Sequence, residues 1–235
     1  MSDQVVRSGS AALDEVTATL RAVLASDPGV GFSVVDLAGV IRFANARATE
    51  MFLGVSPEKA IGSTLDELYG RDWAAERITV LERVLGTGRP ALLRHIRRGK
   101  QLQSTIRLLS SEEGSPQPFS VVTVEGEHDP SFGDEFHVIE SGIMDLGPLA
   151  PLTSRELEVL SLVGHGMSTN QMAAALFRSP RTIERHLDSI RQKLHTASRL
   201  QLVSYATAAG LEVRDATLKR TSPNDTSSRK DEPQS

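Results

Sequence analysis

No cysteine occurs among the 235 residues. Disulfides, thiolate metal sites, cysteine nucleophiles and thiol-linked flavin photochemistry are thereby excluded. No apolar run approaches the roughly 18 residues of a membrane span, and Met1-Ser2-Asp3-Gln4 lacks the basic and apolar segments of an export signal. A cytoplasmic protein with no membrane partner is expected. Signatures of catalysis are also missing: there is no Ser, His and Asp pattern, no paired-carboxylate motif and no phosphate-cradling glycine loop, and Gly86-x-Gly88 reads as a helix stop. No catalytic residue is therefore named, and an enzyme is not expected. The six histidines, at 95, 128, 137, 165, 186 and 195, lack the i, i+3 or i, i+4 spacing of helical metal ligands, so no metal site is expected either. Lys and Arg are absent between Leu108 and Ser154, where nine Asp or Glu stand.

What is present is a globular composition, 39% hydrophobic and 24% charged, on a chain long enough for two domains. The net charge of -4 is unevenly spread. Residues 155–220 hold ten Lys or Arg against six Asp or Glu, so this end suits a polyanion while the acidic middle repels one. An acidic linker tethered beside a basic surface would compete with that polyanion, or would merely keep the segment extended.

Leu13, Val16, Leu20 and Val23 follow a/d spacing, which predicts an amphipathic N-terminal helix over 1–27, either a lid on the next domain or a dimer seam. Residues 30–36 and 40–44 are β-rich and are separated by Leu37-Ala38-Gly39, a hairpin. Short helical pieces follow, beginning at Asn45 and at Ser56-Pro57. A longer helix then places Ala74, Ile78, Leu81 and Leu85 on one face and stops at Gly86. Further on, Leu102, Ile106 and Leu108 alternate with Gln101, Gln103, Thr105 and Arg107, and residues 119–124 are another β-branched run. This order, carried by GFSVVDLAGVIRFANARATEMFLGVSPEKAIGSTLDEL, resembles a PAS domain over 28–126. Asn45 stands where many PAS domains carry Asn, with a helix-capping role. The resemblance implies a sensor core. It would either bind a small apolar or aromatic ligand or serve, packed and empty, as a protein-docking or dimerisation platform. No cofactor is identified: residues 72–86 hold no histidine for heme, and Asp36 stands alone where a phosphorylated receiver needs an acidic pair. Residues 127–150 read as an acidic linker with one strand near 136–139, and 214–235 as a disordered tail.

Residues 151–213 carry four successive helix starts. Thr153-x-x-Glu156, Ser168-x-x-Gln171 and Ser198-x-x-Gln201 are capping boxes, and Ser179-Pro180 supplies a cap with proline at N1. In the third helix Ile183, Leu187, Ile190 and Leu194 form an apolar stripe, and Arg181, Glu184, Arg185, Asp188 and Gln192 lie opposite. Such a helix is either a solvated surface or, entering N-terminus first after a tight turn, a reader of the major groove. The run LTSRELEVLSLVGHGMSTNQMAAALFRSPRTIERHLDSIRQKL...SRLQLVSYATAAGL closely resembles the LuxR-type DNA-binding domain. That resemblance implies a transcription regulator that binds double-stranded DNA as a homodimer and works with the transcription machinery. Glu184, Arg185 and Asp188 would contact bases, with Arg185 on guanine and Glu184 on cytosine. Arg181, Thr182, Arg191 and Lys193 would hold phosphates, joined by Ser168 and Thr169 at the second helix's start. The fourth helix would dimerise, with Tyr205 its exposed candidate. Asn170, where the family often has Lys, and the acidic Glu184 and Asp188 make the base code unusual. The fold class expected is α+β: a PAS-like antiparallel sheet with flanking helices, then an all-α four-helix helix-turn-helix domain.

Overall fold

The computed structural model describes residues 19, 22–24, 26–52, 56–110, 114–126 and 135–221. Strands β1 (Gly31–Asp36) and β2 (Ile41–Ala44) pair antiparallel as the expected hairpin. Asp36 closes the turn, accepting from Val40 N at 2.9 Å and Arg42 Nε at 2.8 Å, and Gly39 takes φ 79°. Helices α1 (Ala46–Phe52), α2 (Pro57–Ala60), α3 (Leu65–Tyr69) and α4 (Arg71–Thr87) follow. Asn45 caps α1: Oδ1 accepts from Ala48 N at 2.8 Å and Phe32 N at 3.0 Å, while Nδ2 donates to the carbonyls of Leu24 and Val30 at 2.6 and 2.9 Å. All four hydrogen-bonding positions of its amide are used, which makes its role structural.

The buried face of α4 departs from the expected one. Trp73, Ala74, Arg77, Val80, Leu81 and Val84 are buried, whereas Leu85 is exposed, and the left-handed cap is Gly88 (φ 67°) in place of Gly86. Trp73, as the largest apolar side chain on the helix, rotates the contact face toward itself. Arg77, one turn later, is carried inward with its guanidinium 4.2 Å from the indole centroid.

Strands β3 (Ala91–Arg97), β4 (Lys100–Leu108), β5 (Pro118–Glu125), β6 (His137–Met144) and β7 (Lys219–Arg220) complete one sheet of order β2-β1-β5-β4-β3-β6-β7. The strands from β2 to β3 are antiparallel, as expected; β6 adds to β3 in parallel, and β7 adds to β6 in parallel. Four helices, α5 (Ser154–Gly164), α6 (Thr169–Ala175), α7 (Pro180–Lys193) and α8 (Arg199–Ala209), form the C-terminal half. Thr153 and Ser168 make full capping boxes and Ser179 caps α7. At α8 only half of the expected box forms. Ser198 accepts from Gln201 N, but the Gln201 side chain takes the amide of Ala197, one residue upstream.

Alternation in β3 divides the two halves of the molecule. Leu93 and His95 face α1, α3 and α4; Ile96 belongs to a core that includes Met144, Leu146, Leu149, Leu157 and Leu202, so the sheet's outer face and the helical half share apolar packing. On that outer face Arg94 makes a bidentate pair with Asp215, at 3.1 and 2.7 Å, and donates to Gly210 O at 2.9 Å. Gln103 and Gln101 oppose Arg94 and Ile96 across the ladder, and they are buried, although their alternation predicts a solvated face.

Two boundary expectations change. Residues 135–150 of the expected acidic linker are built into the fold as β6 and a 3₁₀ turn, Gly147–Leu149, with Leu146 and Leu149 buried. Two of their carboxylates are answered intramolecularly, Glu140 by Arg214 and Asp145 by Arg97, and just upstream Glu125 is met by Arg47 and Lys100. Residues 127–134 lie outside the described residues. The start of the expected disordered tail is instead built into the fold: Val213–Thr217 is a 3₁₀ turn and β7 follows it, because Leu211, Ala216 and Leu218 find the shared core. Residues 222–235 lie outside the described residues, as do Leu13, Val16 and Leu20 of the N-terminal helix; residues 22–24 are helical and Val23 is exposed.

Candidate nucleic-acid interface and core cavity

The apolar stripe of α7 packs as its spacing predicts, with Ile183, Leu187, Ile190 and Leu194 all buried. This fixes the rotation of the helix and turns Arg181, Glu184, Arg185 and Asp188 outward, where all four are exposed. Among the described residues neither Glu184 nor Arg185 has a side-chain partner, while Asp188 holds Arg191 at 2.6 Å. Thr182 is half-buried, its hydroxyl within 2.9 Å of the Ser179 hydroxyl. Lys193 does not join this group. Its Nζ points back to the buried Glu156 at 2.6 Å, and Ser189 bonds the same carboxylate at 2.6 Å. Burial works to raise the Glu156 carboxyl, but hydrogen bonds from Lys193, Ser189 and Thr153 outweigh it and hold it down to about 2. Ser168 is also committed, its amide donating to Gln171 Oε1 at 2.8 Å, and Thr169 is half-buried. On α8, Tyr205 is partly exposed, but Leu200 is far more so at 78%.

A second candidate site lies inside the N-terminal half, a cavity of about 50 Å³ between the sheet and α1, α3 and α4. Aliphatic side chains such as Val35, Leu93 and Ile106 line the sheet side; Phe52, Tyr69 and Trp73 line the helix side. These three rings meet edge-on or tilted, with centroids 4.2 to 6.0 Å apart. Two guanidiniums flank the cluster, Arg77 over Trp73 and Arg97 at 5.3 Å from the Tyr69 centroid. Arg77 Nη1 bonds the Glu76 carboxylate, which in turn accepts from Ser141 Oγ and Gly142 N of β6, both at 2.7 Å. Burial lowers the Arg77 guanidinium to about 10, so it stays charged at neutral pH. Burial, then the charges of Arg77, Arg97 and Arg94, hold the His95 imidazole well below its ordinary range. Its Nε2 lies 2.9 Å from Ser104 Oγ, and Ser104 borders the cavity.

Residues 150–206 match the family described as bacterial regulatory proteins, luxR family, and residues 28–125 match the PAS fold family. The chain therefore carries a LuxR-type helix-turn-helix region and, before it, a PAS-fold region. Over 59 residues the helix-turn-helix is 46% identical to a putative HTH-type transcriptional regulator of Mycobacterium bovis and 42% identical to the oxygen regulatory protein NreC of Staphylococcus carnosus. Each match covers 25% of this chain but only 7% and 27% of those relatives' lengths. A solved Vibrio cholera VqmA-ligand-DNA complex is 21% identical, covering 86% of this chain and 92% of that one, with a TM-score of 0.48. Among the described residues no helix is long and apolar enough to cross a membrane.

Reasoning from the sequence missed several residues of both sites. Arg178, exposed in the turn between α6 and α7, is a cation just before the start of α7. The adjoining Phe177 is 90% exposed at φ 53°. Leu200 was overlooked because α8 is apolar on more than one face. In the PAS domain, Trp73 and Arg77 share an i, i+4 spacing that was readable. An arginine inside a helix nevertheless reads as surface unless its aromatic neighbour is recognised as a lid for the charge.

Proposed function

We propose that this regulator reads a specific DNA operator through α7, with Arg185 and Glu184 as its principal base contacts and Asp188 beside them. The observation that carries this reading is the outward face of α7, where these side chains stand exposed because the opposite stripe is buried. Arg181 and Arg178 supply phosphate contacts, Thr182 the helix-start contact, and Arg191 a contact that first requires release from Asp188. One helix reads too few base pairs to find a site in a genome, so the regulator acts as a dimer on paired half-sites. Leu200 and Tyr205 of α8 are the surface for that pairing. Selecting DNA from a random pool with the full-length protein tests the reading. A recovered site with two half-sites supports it, and so does sedimentation with two chains per site; a pool showing no enrichment overturns it.

The PAS domain senses a small molecule in its core cavity and passes the occupancy to the DNA-binding half, inside the cytoplasm and ahead of the transcription machinery. The cavity favours this over a packed docking platform. Solvent extraction of the purified protein that yields a stoichiometric small molecule supports ligand sensing. A clean extract, with DNA binding unaltered by any small molecule, leaves the platform.

A further inference from the structure

We propose that Phe177 is a DNA contact, its ring lying on the deoxyribose surface of the strand that borders the groove α7 enters. This rests on the reading of α7 as the base-contacting helix and adds to it an apolar contact that carries neither charge nor sequence information. Phe177 occupies the turn between α6 and α7 and, at 90%, is the most exposed large apolar side chain among the described residues. Single apolar residues on a surface are ordinary, so exposure alone decides nothing. The backbone adds a second observation. The turn closes as a left-handed helix end, in which Arg178 N donates to Ala173 O at 2.9 Å and Phe177 N to Ala174 O at 3.3 Å, with Phe177 at φ 53°. Glycine fits such a position freely, and the chain uses Gly166 after α5 and Gly210 after α8, with the polar His195 after α7. At Phe177 it keeps a β-carbon that crowds the backbone and a ring that stands in water. At 90% exposure the ring touches too little of the fold to offset either, and strain held at an exposed turn points to a partner outside the chain.

The surroundings select a polyanion. No Asp or Glu occurs between Glu158 and Glu184, while Arg178 and Arg181 flank the turn and both are exposed. Phe177 stands two residues ahead of Ser179, the cap of α7. A helix that enters the major groove by its N-terminus leaves such a turn over the bordering strand. There the phosphates meet the arginines, and the sugar between them offers the ring its apolar surface.

Full-length wild type, Phe177→Gly, Phe177→Leu and Arg178→Ala are titrated, at several salt concentrations, with a short duplex of random sequence and with the duplex recovered by selection. Phe177→Gly should weaken both duplexes alike, by about three- to tenfold, the effect of returning roughly 30 to 60 Å² of apolar surface to water. Its salt slope should match that of the wild type, because no counterion is involved, whereas Arg178→Ala should shallow the slope by about one counterion. Phe177→Leu should fall between Phe177→Gly and the wild type. Melting temperature supplies a readout that a structural role would move the other way: Phe177→Gly should raise it, since glycine relieves the left-handed position. A lower melting temperature in Phe177→Gly, or unchanged affinity for both duplexes, overturns the contact while leaving α7 as the reader. A changed preference at one base pair overturns the sugar assignment in favour of a thymine methyl. Wild-type protein that binds neither duplex overturns the contact and the reading of α7 together.

Discussion

Two arginines that sit four residues apart on α7 should fail in different ways. Arg185→Ala should cost about 1 to 3 kcal/mol of specific binding and relax preference at one base pair, because a bidentate guanine contact is lost. Arg181→Ala should weaken all sequences alike and shallow the salt slope by about one counterion. Titrations on matched and mismatched operators at several salt concentrations separate the two; equal changes of sequence preference would refute the assignment. Lys193 belongs to neither class. Its partner Glu156 has a depressed carboxyl, so the stabilisation it brings is complete above its ordinary value of 4.5 and is lost as pH falls toward about 2. Melting temperature followed between pH 5 and 2 should fall through this window, and Glu156→Gln should remove that part of the slope while lowering stability at pH 7. The outward positions of α7 were legible in the sequence because one apolar stripe at helical spacing fixes the opposite face. The inward turn of Lys193 was not, since a lysine near a helix end looks the same whether it meets a phosphate or a carboxylate thirty-seven residues away.

At the level of elements, α8 ends where the two halves of the molecule touch. Gly210 has φ 52°, and a Cβ there would collide with the Gln101 side chain on β4. Gly210→Ala should therefore destabilise by about 1 to 2 kcal/mol from the left-handed backbone alone, with more from the collision. Denaturant unfolding should show Gln101→Ala, when the two are combined, relieving the collision with the Gln101 amide group but neither the backbone part nor the close approach to its Cβ. Capped elements were the easiest to read: Thr153, Ser168 and Ser179 announce their helices through local chemistry. Elements defined by a distant neighbour were hidden. A strand near 136–139 was expected, but neither its extension to Met144 nor its place in the sheet was, because its pairing with β3 lies more than forty residues back in the chain, and β7 is only two residues long.

Among the described residues, the two halves of the molecule are joined by a shared apolar core and by the buried ion pair of Arg94 with Asp215, 121 residues apart. Removing one partner of a buried pair typically costs about 3 to 5 kcal/mol. In the intact protein Trp73 fluorescence and far-ultraviolet circular dichroism should lose signal together on heating, the first reporting the PAS core and the second weighted toward the helices. Asp215→Ala should split the two transitions; coincident curves in that variant would mean that apolar packing alone couples the halves. Two domains were visible in the sequence, but their union was not, because charge and hydropathy patterns carry no information on which face of a sheet a neighbour will cover. The parallel pairing of β6 with β7 bears on time as well as on stability. Ile143 and Lys219 meet only after the helix-turn-helix between them has shortened the path, since closing so long a flexible loop for two residues of ladder is entropically unfavourable. β7 is accordingly a late contact on the folding route, so trimming Lys219 and Arg220 should quicken unfolding several-fold and scarcely alter the folding rate.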